Sequence, residues 1–299
     1  MKQLRIWVMA LTVASGLCLN AGASTVKVSD WKPVFLGIDQ ATGSIDGTDA
    51  SVAYALRVDL RAPGIRFYTT PRQGTLNTIS SQNSQFLMKY GLQVVINANF
   101  FSPCCDAFSE DKNVLGLAVS DGNVVSPPVS AGGENAALLL TRLNQASIVE
   151  TSENTDLSNV FNAVTGSGII VQDGLNVGNQ TSYGDGADPN PRTAVGISEH
   201  GHYLYLVVID GRQPPYSIGT TNAETADLML AFGAYSAINL DGGGSTDMVE
   251  DNGHGGATIV NRPSGGAERF DANQLGIYAF PLRHFFPGRD GDNQQQAQP

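Results

Sequence analysis

The chain has 299 residues, 34 of them glycine and only 15% charged, which allows one sizeable core and argues against a helical bundle. A formal net charge of −11 excludes a general binder of nucleic acid or anionic membrane, so any anionic substrate must be held by local cations against the overall field. Three cysteines are too few for a disulfide-rich scaffold or a structural zinc site.

The N-terminus reads as an export signal. Lys2 and Arg5 precede the apolar run Ile6–Leu19, and Ala21-Gly22-Ala23 offers a small-residue cleavage site, so residues 1–23 are expected to leave as a signal peptide. The run is shorter than the roughly 20 residues a spanning helix needs, and no later stretch is longer. The mature chain is therefore expected in the periplasm or the medium, with no membrane partner. Cys18 leaves with the signal. Cys104 and Cys105 remain, and within one chain these neighbours can close a vicinal ring or stay free; the other choice is a bridge to another chain.

Strands dominate the mature chain. Residues 26–68 read as strands, with period-two alternation over Tyr54–Arg61 and a turn at Pro63-Gly64. Ile79–Tyr90 has helical spacing and a stop at Gly91. Val94–Ile96 is a buried strand ending at Asn97. Leu115–Val119 and Val124-Val125 flank an Asp121-Gly122 turn as a hairpin, and residues 136–143 and 147–149 form another pair. Further strands are read at Gly168–Val171, Thr193–Ile197 and Tyr203–Ile209, with a polar loop over Gln180–Asn190. Asn222–Gly233 reads as a helix capped by Asn222, and Ala237–Leu240 as a buried strand. Met248–Glu250 and Ile277–Phe280 close the domain. Many strands, few helices and no regular β-α alternation predict an α+β fold, a strand-rich single domain with mixed or antiparallel sheets.

Four strand ends carry chemically capable residues. After Leu240 come Asp241, Gly242, Gly243, Gly244, Ser245 and Thr246: a carboxylate, three glycines whose backbone can approach a ligand or form an anion nest, and two hydroxyls. Arg192, where a polar loop enters a strand, can clamp a phosphate or carboxylate bidentately. Asp210 and Arg212 come just after the strand ending at Ile209. Asn97 and Asn99 can bind sugar hydroxyls, while Phe100 or Phe101 can stack on a sugar face. Each piece alone also fits a plain turn, surface ion pair or core aromatic.

Together, Asn97-Ala98-Asn99-Phe100-Phe101, Pro191-Arg192-Thr193-Ala194-Val195-Gly196, Val208-Ile209-Asp210-Gly211-Arg212 and Asn239-Leu240-Asp241-Gly242-Gly243-Gly244-Ser245-Thr246 resemble the phosphodiester glycosidases, a family with bacterial exopolysaccharide-related members. The resemblance spans about residues 94–280. The first motif departs from the family's Asn-Gly-Gly at Ala98-Asn99. Residues 24–288 would then be the catalytic domain: 24–90 as N-terminal strands and helix, 91–288 as the motif-bearing part. The tail 289–299 is expected to be disordered.

The resemblance implies removal of a sugar from a sugar-1-phosphodiester in a phosphorylated glycan, leaving a phosphomonoester. Asn97, Arg192, Asp210, Arg212, Asp241 and the glycines match the family's motifs. Asp241 is the first candidate for the catalytic carboxylate and Asp210 the second, while Arg192 and Arg212 would neutralise the departing phosphate. No cofactor is required for that chemistry. A second reading breaks the P–O bond with help from Ca²⁺ or Mg²⁺ on Asp241, Asp247, Glu250 and Asp251. A third is a non-catalytic glycan binder using Phe100, Tyr183 and Tyr216 as stacking platforms.

Overall fold

The computed structural model describes residues 25–46, 50–105, 108–129, 134–180 and 186–282. The expected signal peptide, Tyr183 and the 289–299 tail lie outside the described residues. Eleven strands and two helices position the site. In chain order they are β1 (Ile38–Asp46), β2 (Ser51–Asp59), α1 (Asn83–Tyr90), β3 (Val94–Asn97), β4 (Ala136–Leu140), β5 (Asn162–Gly166), β6 (Gly168–Gln172), β7 (Arg192–Ile197), β8 (Tyr203–Ile209), α2 (Asn222–Phe232), β9 (Ser236–Asn239), β10 (Met248–Asp251) and β11 (Gln274–Tyr278).

A nine-stranded sheet runs β1-β2-β8-β7-β9-β6 through its centre, and short strands flank it. Two five-stranded sheets, one built on β4 and β5 and one on β3, β10 and β11, pack against one face. Helix α2 covers the other face. Strand β8 shows why: Leu204, Leu206 and Val208 enter the core between the sheets, and Tyr205, Val207 and Ile209 enter the core under α2. A strand buried on both faces is apolar throughout, which is how the sequence reads there. Helix α1 lies on the third layer, with Phe86 and Leu87 packed against Leu92, Val95 and Val249.

Every strand pairing described is antiparallel. Among the described residues the fold is thus strand-rich with antiparallel sheets, and the two α-helices there have eight and eleven residues. The expected helix over 79–90 starts only at Asn83. Thr78–Ile79 is instead a strand paired with Asp111–Lys112, and Ser81 is bridged to Asp271. Leu115–Leu117 is not strand: Gly116 takes φ +73°, and a side chain there would collide with the Glu134 carbonyl. The cap of α2 is Thr221 rather than Asn222. Thr221 and Glu224 form a capping box worth about 1 kcal/mol.

Candidate active site

The pairing register brings the strand ends together. Arg192, which opens β7, faces Ile209, which closes β8; Asn239, which closes β9, faces Ala194. The fourth end arrives from another sheet. Asn97, the last residue of β3, donates from Nδ2 to the Asp241 carbonyl at 2.7 Å and accepts from Thr193 Oγ1 at 2.7 Å. The Asp241 amide in turn donates to the Ala98 carbonyl at 3.0 Å. Asn97 is fully buried, so it ties two layers together and does not bind a ligand.

Above this seam opens a cleft of about 220 Å³, walled by Asp241, Gly242–Gly244, Arg192, Arg212, Arg269 and Phe100. The glycines are there for close approach. A Cβ at Gly242 would lie 2.6 Å from the Pro191 carbonyl oxygen, and Gly243 takes φ +62° beside the Arg212 guanidinium. The turn is only partly an anion nest. Gly243 N–H donates to Pro191 at 2.8 Å, Ser245 N–H to Gly242 at 3.1 Å and Thr246 N–H to Gly243 at 3.3 Å. Side-chain cations must therefore carry most of the anion binding.

Three arginines serve. Arg192 is buried, held by Nε to the Thr220 carbonyl at 2.9 Å and Nη2 to the Asp188 carbonyl at 2.8 Å. Arg212 takes φ +58° and is gripped by Asn190 Oδ1, 3.0 Å from Nε and 2.7 Å from Nη2. Arg269 donates from Nη1 to Ser245 Oγ at 3.1 Å and lies 3.9 Å from Cys104 Sγ. Cys104 and Cys105 are joined as a vicinal disulfide on the exposed rim.

Asp241 is the carboxylate of the cleft. Burial pushes its pKa up to about 6, against the Ser245 hydroxyl, the Arg269 charge and the Gly242 N–H; Glu134 adds a small push upward. It is thus mostly ionised at neutral pH and near its titration.

Asp210 departs from its expected place. Its carboxylate is buried and turned away from the cleft, accepting from Asn261 Nδ2 at 3.0 Å, Arg262 N at 2.9 Å and Tyr216 Oη at 2.8 Å. Burial raises its pKa while these bonds lower it. With its oxygens so occupied it holds the loop after β8 to the segment Asn261–Arg262, which follows the hairpin made by β10 and Ala257–Ile259. Tyr216 belongs to the same network, with Arg262 5.3 Å over its ring, so its face is not an open stacking platform. Ser245 and Thr246 lie buried beneath the turn, not in the cleft. Asn99 is a core hub: its side chain bonds Leu115, Leu117, Thr165 and Asn273.

The three further carboxylates considered for a metal are dispersed. Asp247 is buried near Glu268, Glu250 reaches Gln40 at 3.3 Å, and Asp251 holds its own turn through Gly253 N–H at 2.9 Å. Among the described residues no three His, Cys, Asp or Glu side chains are grouped to hold a metal ion.

Arg269 and Asn190 escape sequence reasoning. Neither sits past an apolar strand. Arg269 reaches the cleft because its segment is tied to the start of α1, where Glu268 Oε1 accepts from Ser84 N–H at 2.8 Å and Asp271 pairs with Ser81.

A buried carboxylate set among three arginines at the end of a two-faced sheet is an arrangement suited to an anionic ligand. The phosphodiester glycosidase family model matches residues 90–278, and the chain belongs to that family. Its fold is shared by the zebrafish N-acetylglucosamine-1-phosphodiester α-N-acetylglucosaminidase catalytic domain, auto-inhibited by its pro-peptide, at 20% identity and TM-score 0.64, covering 85% of this chain and 87% of that one. A hypothetical protein from Synechocystis aligns at 15% identity and TM-score 0.60, over 86% of this chain and 68% of that one. An exported protein from Burkholderia pseudomallei aligns at 14% and 0.64, over 89% and 98%. No curated protein sequence matches the chain at a significant level. Family and fold together point to glycosidase-type hydrolysis. Among the described residues no helix is long and apolar enough to cross a membrane.

Proposed function

We propose that the protein is an exported hydrolase that releases a sugar from a sugar-1-phosphodiester in a glycan or glycoconjugate. The observation that carries this is the single cleft in which Asp241 stands beside Arg192, Arg212 and Arg269. The anomeric carbon would sit against Asp241, acting as nucleophile or as base on water, and the phosphate against the arginines. As the C–O bond breaks, negative charge collects on the phosphate oxygens, and fixed guanidinium groups stabilise that change without reorganising. Phosphate leaves far more readily than a sugar alkoxide. One ionised carboxylate is therefore enough, which suits a site whose second motif aspartate, Asp210, is engaged elsewhere. Phe100 offers an apolar face for the sugar. The basic and apolar segment of residues 2–19 supports export.

Incubation with a panel of sugar-1-phosphodiesters, with and without chelator, tests the proposal. Free reducing sugar plus a phosphomonoester is the expected result. Sugar phosphate as product would replace it with P–O cleavage. No turnover on any diester, with glycan affinity retained, would leave a binding module.

A further inference from the structure

Beneath the glycine turn lies a second group of acids that substrate cleavage does not use. Asp271 is 2% exposed and Asp247 1% exposed, and none of their four carboxylate oxygens has a hydrogen-bond partner. The groups facing Asp271 are Asp241 and the Ser245 hydroxyl from the turn, Asp247 from the start of β10, and Arg269 from its own segment. The Ser245 hydroxyl is the donor that faces Asp271, and it opposes the upward push of burial; Asn83 and the Met248 N–H face Asp247, but Asn83 donates to the Asp247 carbonyl and Met248 N–H to Asn261. Glu268 faces Asp247 from the other side.

Arg269 is the arginine that faces both Asp241 and Asp271. That arginine is already committed to Ser245 Oγ at 3.1 Å, and Asp241 is the acid that the cleft requires ionised. A buried carboxylate whose facing hydroxyl and cation are already engaged with each other is costly to ionise, and such a group takes up a proton or a metal. The acids face one another in sequence, Asp241 to Asp271 to Asp247 to Glu268, and no three are grouped to hold a metal ion. That pairwise arrangement favours the proton.

We propose that Asp271 is a positioning residue kept as a neutral carboxylic acid, and that its neutrality leaves the Arg269 guanidinium to Ser245 and the cleft. Ionised, Asp271 would draw Arg269 inward, away from the substrate's anionic group. Burial foremost, and then the neighbouring Asp241, raise the proton affinity of Asp271 well above an ordinary aspartate, in keeping with the geometry. The effect on turnover rests on the proposed phosphodiester reading; the protonation state does not.

The test has two arms. Infrared difference spectra of wild type and Asp271→Asn at pH 7 should show a protonated-carboxyl band that only the wild type possesses. Asp271→Thr, which keeps a buried hydroxyl, provides the same subtraction if the Asn variant does not fold. Absence of the band, or a wild-type melting temperature that falls on adding chelator, would overturn the proposal in favour of an ionised, cation-bound Asp271. In the second arm, kcat/KM on a sugar-1-phosphodiester should fall tenfold per pH unit on the alkaline side in the wild type and lose that limb in Asp271→Asn. Identical alkaline limbs would overturn the proposal. Failure of the protein to cleave any diester would sink the functional reading alone and leave the infrared arm standing.

Discussion

Gly242→Ala isolates the steric demand of the turn. Gly242 has φ −125°, on the negative side that alanine adopts, so positive-φ strain does not enter the result. The added methyl would sit 2.6 Å from the Pro191 carbonyl oxygen, about 0.8 Å inside ordinary contact at 3.4 Å. The same oxygen accepts from Gly243 N–H at 2.8 Å, and Pro191 directly precedes Arg192. Relief must therefore come from moving the turn or the arginine by most of an ångström. Displacement on that scale costs roughly 100-fold in rate, and overpacking of this kind costs about 1–3 kcal/mol in stability. The assay is kcat/KM on a cleaved diester alongside thermal melting. Gly253→Ala is the control: φ +71° and open space around it predict about 1 kcal/mol of strain and no loss of rate. A Gly242→Ala enzyme within twofold of wild type, at unchanged melting temperature, would refute close packing of the turn on Pro191 as a requirement of the cleft.

Asp241→Asn should lower kcat by at least about 10³-fold with little change in melting temperature, and wild-type kcat/KM should fall as pH drops through about 6, where Asp241 takes up its proton; retained turnover in the variant would remove it from the chemistry. Asp210→Ala should instead act on stability, by about 3 kcal/mol, because it strands the donors of Asn261, Arg262 and Tyr216; denaturant unfolding measures this. Arg212→Ala should reduce turnover of a phosphodiester at least tenfold more than turnover of an uncharged activated glycoside, and equal losses would end its role as an anion clamp. Asp241, Glu250 and Asp247 have pKa values raised to about 6, 7 and 8. The native state therefore binds more protons than the unfolded chain between about pH 4 and 8, so stability falls as pH rises across that window, by up to about 1.4 kcal/mol per unit for each group. Asp247→Asn should flatten that slope in melting curves taken from pH 5 to 8.

Sequence pattern revealed the strands that are covered on both faces. Tyr203–Ile209 is apolar at every position because two cores claim alternate residues, and such a run admits little else. Residues 162–166 escaped because Asn162-Ala163-Val164-Thr165-Gly166 is short and mixed, and only pairing with β4 and with Ala118–Ser120 makes it a strand. Ile79 misled in the other direction: its spacing to Phe86 and Tyr90 is helical, but pairing with Asp111 holds it in a strand. The site divides similarly. Asp241, Arg192 and Arg212 were legible because each follows or opens an apolar strand. Asp210 stands at an equivalent place, yet the direction of its side chain depends on Asn261 and Arg262, some 50 residues later. Arg269 has no local signature, since it reaches the cleft through a connection to the start of α1.

That connection gives the cleft two kinds of wall. Arg192 and Asp241 are fixed by sheet register, where a one-residue slip would turn side chains to the opposite face and disrupt two cores. Arg269 hangs on a short strap anchored at Glu268 and Asp271. Substitution within the strap would retune the charge presented to the acceptor half of a substrate without altering a strand. Selectivity and fold can thus diverge separately in this architecture, with one arginine open to exchange and two held by the frame.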